Sequence, residues 1–123
     1  MDKSDFSKYR ASVLEAQKLR TRLDSLQGDL CSLPDPVDET TAKKYAEALA
    51  YYRELMLAKV AGIRAVEAAV ESLEAPEQRL VLRLRYIEGH DWHGICKVLK
   101  PLGYSERQVY RLHGFALQKL KEV

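Results

Sequence analysis

Hydrophobic residues recur at helical spacing through most of this chain. Between Phe6 and Leu30, the positions Phe6, Tyr9, Val13, Ala16, Leu23 and Leu30 fall on a seven-residue repeat that Arg20 and Gln27 interrupt, while Leu14, Leu19 and Leu26 widen the stripe. The spacing predicts one long amphipathic helix. The segment CSLPDPVDET follows, with two prolines, three acids and a threonine, which together stop one helix and cap the next. Beyond it, Ala42, Tyr45, Leu49, Tyr52, Met56, Lys59, Ile63, Val66, Val70 and Leu73 alternate in steps of three and four for five heptads, with Lys59 the single polar intrusion. Such a seam needs an antiparallel partner, and the preceding helix supplies it. The expected result is a helical hairpin over roughly residues 4 to 73.

The pattern restarts at SLEAPEQRLVLRLRYIEG. Pro76 suits a first helical turn, Glu77 complements the dipole there, and Leu80, Leu84 and Ile87 line one face before Gly89 ends the helix, giving a third helix over about 76 to 88. Asp91 is a fair N-cap for a short helix that points Trp92, Ile95 and Leu99 inward, and KPLG breaks it. The final helix is expected to begin at Ser105, whose hydroxyl accepts from an amide of the first turn. At about 100° per residue, Val109, Leu112, Ala116, Leu117 and Leu120 gather on its core face, and Arg107, Arg111, Gly114, Gln118 and Lys121 on the opposite one. Short helix, turn, longer helix is the order of a helix-turn-helix. The fold expected is therefore all-α: a long antiparallel hairpin over 1–74, then a three-helix domain over 75–123.

Composition sharpens this only in part. With 46% hydrophobic and 31% charged residues and few glycines, prolines and phenylalanines, the chain is a folded, helix-rich protein without strands of note. No apolar run approaches the ~18 residues that a membrane span requires, and MDKSDFSKYR has no signal-peptide core, so a cytoplasmic location is expected. The net charge of +2 divides unevenly: residues 1 to 74 hold 11 Lys/Arg against 13 Asp/Glu, residues 75 to 123 hold 9 against 5. The basic C-terminal part points to an anionic partner. Cys31 and Cys96, far apart and outside any ligand motif, are read as reduced small hydrophobes.

At this point a resemblance enters. PEQRLVLRLRYIEG, DWHGICKVL and GYSERQVYRLHGFALQKLK, over residues 76 to 121, resemble the C-terminal promoter-reading domain of bacterial sigma factors, and more closely the phage RinA-type late transcription activators that share it. The resemblance implies sequence-specific binding of double-stranded DNA and activation of a phage or prophage late operon in concert with host RNA polymerase. Carried over residue by residue, it places base reading on Glu106, Arg107 and Arg111, and Gln108 and Tyr110 nearer the phosphates; Ser105 and Gly114 complete the expected DNA-binding set. Guanidinium forks suit guanine O6 and N7, and a glutamate accepts from cytosine N4. KPLG makes the turn longer than the sigma pattern, and an acid followed by a base stands where many sigma factors have the reverse, so a sigma promoter element does not carry over.

Other residues receive plainer readings. Trp92, opening a short helix three residues before Ile95, is a core anchor, and His113, at the core edge of the last helix, is a semi-buried polar tip. His90 and His93 lack further ligands at zinc spacing, so neither a metal nor a cofactor is expected. No catalytic constellation or phosphate loop appears, and no enzyme activity is expected. Any homo-oligomer is expected to form through the N-terminal hairpin. Two alternatives stand beside the DNA-binding activator: a coiled-coil interaction or scaffold protein, and a small-terminase-like DNA-packaging protein, whose DNA-binding part would usually come first.

Overall fold

Why each helix stops where it does is visible in its backbone partners. The computed structural model describes residues 1–121, and all regular structure in them is helical. Six helices follow one another: α1 (Lys3–Ser7), α2 (Tyr9–Cys31), α3 (Glu39–Glu71), α4 (Pro76–Leu82), α5 (Trp92–Leu99) and α6 (Glu106–Lys121). A π-helical turn, Arg83–Ile87, prolongs α4, and a 3-10 turn, Lys100–Leu102, prolongs α5. None of the helices is long and apolar enough to cross a membrane.

The chain divides into two compact units, Ala11–Gly62 and a second that joins Met1–Arg10 to Ile63–Val123. The first is the antiparallel pair α2 and α3. Leu23, Leu26 and Leu49 are its buried centre, with Leu30, Tyr45, Ala48, Tyr52 and Met56 packed around them. Asp38 caps α3, its carboxylate accepting from the Thr41 amide at 3.3 Å. The polar intrusion at Lys59 is resolved by length: its stem lies in the seam while its ammonium reaches Glu15 at 2.5 Å. The expected α3 seam is thus real in this unit, where Leu49 is buried and Ala42, Tyr45, Tyr52, Met56 and Lys59 are each half-buried.

The second unit corrects the expected division between residues 74 and 75. Phe6 (1% exposed) and Tyr9 from the chain start, and Val66, Val70 and Leu73 from the end of α3, are buried within the unit that carries α4 to α6. Phe6 lies 5.5 Å from the Tyr86 ring, centroid to centroid. Three helices of this length enclose little, and the apolar residues at both ends of the hairpin enlarge their core. The expected single helix from Phe6 to Leu30 is likewise interrupted at Lys8, where α1, closed at its start by a reciprocal Asp2–Asp5 capping box, ends.

The expected helix over 76 to 88 is α-helical only to Leu82. Glu88 then donates to the Arg83 carbonyl at 2.9 Å, a wider i to i+5 closure, and Gly89, at φ +76°, ends it. Val81, Leu82, Leu84 and Tyr86 are the buried residues here, whereas Leu80 and Ile87 are half-buried. The widened turn and partners on more than one side explain why one stripe did not predict this core. Arg79 closes the preceding linker by donating to the carbonyls of Leu73 (2.5 Å) and Glu74 (3.1 Å).

Phe6→Ala tests the shared core. Emptying so enclosed a site should cost about 3–5 kcal/mol. Chemical denaturation, followed by near-ultraviolet signal from Trp92, should show that loss in the unit that carries α6.

Candidate nucleic-acid interface

The region from α5 to α6 is built on one small core. Ile95 and Leu99 from α5, Val109 from α6, and Val81 and Leu84 from the preceding helix are buried together, with Leu80, Trp92, Cys96, Tyr104 and Leu112 packed against them. Asp91 caps α5 by accepting from the Gly94 amide at 2.8 Å. The chain turns at Gly103, whose φ of +94° is open to glycine at little cost, and the Tyr104 amide reaches back to the Leu99 carbonyl at 3.3 Å. Cys96 is half-buried in this packing, and desolvation raises its thiol pKa, which keeps it protonated and inert.

Entry to α6 is a reciprocal capping box. The Ser105 hydroxyl accepts from the Gln108 amide at 3.2 Å, and the Gln108 side-chain oxygen accepts from the Ser105 amide at 2.7 Å. Val109, Ala116 and Leu120 are buried and Leu112 and Leu117 half-buried, as the helical wheel requires. On the other side Arg107, Arg111, Gly114, Gln118 and Lys121 are all exposed. Neither Arg107 nor Arg111 has an ion pair or hydrogen bond among the described residues. Glu106, Arg107, Tyr110 and Arg111 line one shallow hollow. A Cβ added at Gly114 would meet nothing within 4 Å, so a glycine in mid-helix here is not imposed by packing within the chain.

The structure therefore separates the expected DNA-binding residues into two groups. Glu106, Arg107, Tyr110, Arg111 and Gly114 are displayed on one surface. Ser105 and the carbonyl end of Gln108 are occupied in holding the helix start, although both residues are exposed. Tyr110 is only 44% exposed, because its ring rests 4.8 Å from that of Trp92.

Trp92 is a core anchor, as its position in sequence suggests, but it also supports the displayed surface. The Arg85 guanidinium lies 4.8 Å over its ring, and His113 meets it edge-on at 4.7 Å. His113 in turn shares a 2.7 Å hydrogen bond with the Tyr86 hydroxyl, so Tyr86, His113, Trp92 and Tyr110 form a continuous aromatic contact reaching the edge of the exposed face. Burial, with smaller contributions from the Lys3 and Arg85 charges, lowers the His113 pKa to about 4; burial also raises that of Tyr86. Sequence reasoning missed Arg85 and Tyr86, which lie in the widened turn where helical phase is lost. It also missed Lys97 and Lys100, which, with the His93 that was weighed only as a metal ligand, line a cleft of about 690 Å³ with Ser105 and Glu106. Their spacing of four and three residues was the available signal. Phe115, 62% exposed beside this surface, was assigned to neither face. Among the described residues no group of three His, Cys, Asp or Glu could hold a metal ion.

No family model, curated protein or solved structure matches this chain.

Because His113 holds its proton less tightly when folded, the unfolded chain binds more protons between about pH 6.5 and 4. The stability it contributes is full above pH 6.5 and is lost as pH falls through that window, by roughly 1–3 kcal/mol. Thermal melts from pH 7 to 4 should show a smaller fall for His113→Gln than for the natural chain.

Proposed function

We propose that this protein is a sequence-specific DNA-binding transcription regulator that reads duplex DNA with α6. The observation that carries the reading is the pair Arg107 and Arg111, one helical turn apart, exposed and unpaired on a helix whose start is fixed by its own cap. Two guanidinium forks so placed suit the acceptor edges of guanines in a major groove, with Glu106 available to a cytosine amino group. Lys97 and Lys100, beside the start of α6, suit phosphate contacts that set register without reading sequence. Gly114 supports the same reading: an exposed mid-helix glycine costs about 1 kcal/mol of helix stability, and removing its side chain lets the helix lie closer to another surface. The resemblance over residues 76 to 121 narrows the proposal to a phage or prophage late-gene activator that works with host RNA polymerase.

Binding titrations on a selected site and on random duplexes, at several salt concentrations, test this. Arg107→Ala and Arg111→Ala should each cost roughly 1–3 kcal/mol on the selected site and relax preference at one base pair. Lys97→Ala should weaken all duplexes alike and lower the salt slope by about 1. A specific-to-random ratio unchanged in both arginine variants would show that α6 is not a reader.

Gly114→Ala should raise helix stability by about 0.5–1 kcal/mol while weakening DNA binding. Melting and binding measured on the same preparation check the two effects together.

A further inference from the structure

The hollow at the start of α6 has a lining that two guanine-reading arginines do not explain. Glu106 and Tyr110 stand one turn apart, as do Arg107 and Arg111, so two rows of side chains run side by side along the displayed face with the hollow between them. More of its lining is carbon than polar atoms, and in these residues that carbon is the Tyr110 ring and the methylene stems of the arginines and Glu106. The charged ends account for the polar part. The apolar part calls for an apolar group.

Tyr110 is the fixed member of this set. Its ring rests 4.8 Å from that of Trp92, which is itself held by the Arg85 guanidinium at 4.8 Å and by His113 edge-on at 4.7 Å. A ring so placed gives up little further freedom when another surface meets it, yet it remains 44% exposed. A phosphate contact would use only the hydroxyl at its tip; the hollow is bounded by the ring.

What duplex DNA can offer such a surface is narrow. Base edges in the major groove present donors and acceptors and a single kind of apolar group, the C5 methyl of a pyrimidine, found on thymine and on 5-methylcytosine. We infer that the hollow receives the C5 methyl of a thymine in the step beside a guanine read by Arg107 or Arg111, with Tyr110 as the residue that selects the methyl. Successive bases on a strand are about 3.4 Å apart, so an arginine whose fork holds a guanine lays its stem near the neighbouring base, opposite the Tyr110 ring. The inference rests on the DNA-reading role proposed for α6, and it moves Tyr110 from the phosphates, where the resemblance implies it, to a base edge.

The test removes one methyl group from the DNA. On the site selected by the full chain, each thymine is replaced in turn by uracil, which alters the base edge only by loss of the C5 methyl. At a thymine beside a guanine, binding should weaken roughly fourfold, the contribution of one buried methyl group. Tyr110→Ala should bind the thymine and uracil duplexes equally, whereas Tyr110→Phe, which keeps the ring and drops the hydroxyl, should retain the fourfold ratio. Each ratio is taken on one protein preparation, so it survives partial unfolding of a variant. Cytosine and 5-methylcytosine, paired with guanine at the same position, separate the two sources of the methyl; tighter binding to the 5-methylcytosine duplex than to the thymine duplex would overturn thymine as the occupant. The inference also falls if the selected site has no thymine beside a guanine, if uracil is silent at every such thymine, if Tyr110→Ala keeps the ratio, or if Tyr110→Phe loses it. Those results leave α6 a DNA reader as long as Arg107→Ala and Arg111→Ala lower the specific-to-random ratio. A natural chain that binds selected and random duplexes alike removes both.

Discussion

Burial of Phe6 against Tyr86 is the contact on which the C-terminal unit depends. The Phe6 ring is almost wholly enclosed, worth about 1.5–3 kcal/mol by transfer alone, and it backs the Tyr86 ring from one side. Tyr86 is then a buried aromatic with a polar end, and a hydroxyl there must be satisfied. His113 does so at 2.7 Å. That bond crosses from the widened turn after α4 to the middle of α6, and His113 stands against Trp92, which supports Tyr110. One apolar residue near the chain start is therefore linked through four side chains to the edge of the displayed helix face.

The same arrangement explains how α6 stays rigid while offering unpaired cations. Its entry is secured by Ser105 and Gln108, and its inner face by Val109, Ala116 and Leu120. None of this uses Arg107 or Arg111. Arg79 and Arg85, by contrast, are engaged inside the unit, Arg79 on the carbonyls that end α3 and Arg85 over Trp92 and on the His90 carbonyl. Arginine thus has two roles in this unit: those near the widened turn hold backbone and ring, and those on α6 are displayed. Surface ion pairs add little to either; the Arg83–Glu71 and Lys59–Glu15 pairs are exposed enough to be worth less than ~1 kcal/mol each.

The α2–α3 unit is economical by comparison. Only Leu23, Leu26 and Leu49 are well buried, and Arg20 and Gln27 occupy positions where the α2 repeat would place apolar residues. Both line a groove with an apolar floor of Leu23, Leu49 and Met56. A two-helix seam of this kind carries little stability of its own. It fits a segment whose ends enter a larger core.

Periodicity alone determined the all-helical fold, the hairpin, the α3 seam and the two faces of α6, because a helix facing one neighbour leaves a single apolar stripe that 3.6-residue spacing reports. Local chemistry likewise announced the caps at Asp91 and Ser105 and the breaks at Gly89 and Gly103, since each acts on backbone groups a few residues away. The exposed Arg107 and Arg111 were legible for the same reason. Tertiary structure decided that Phe6, Tyr9, Val66 and Val70 belong with the C-terminal helices, and that Arg85, Trp92 and His113 share one aromatic contact. It also decided that the helix after Pro76 widens into a π-turn that buries residues off its stripe. These outcomes depend on which surfaces meet across distances in sequence of 27 residues for Tyr86 and His113, or 77 for Arg10 and the Ile87 carbonyl it holds. No spacing within a single helix encodes such a meeting, because its energy comes from excluding water between segments that the chain brings together only on folding.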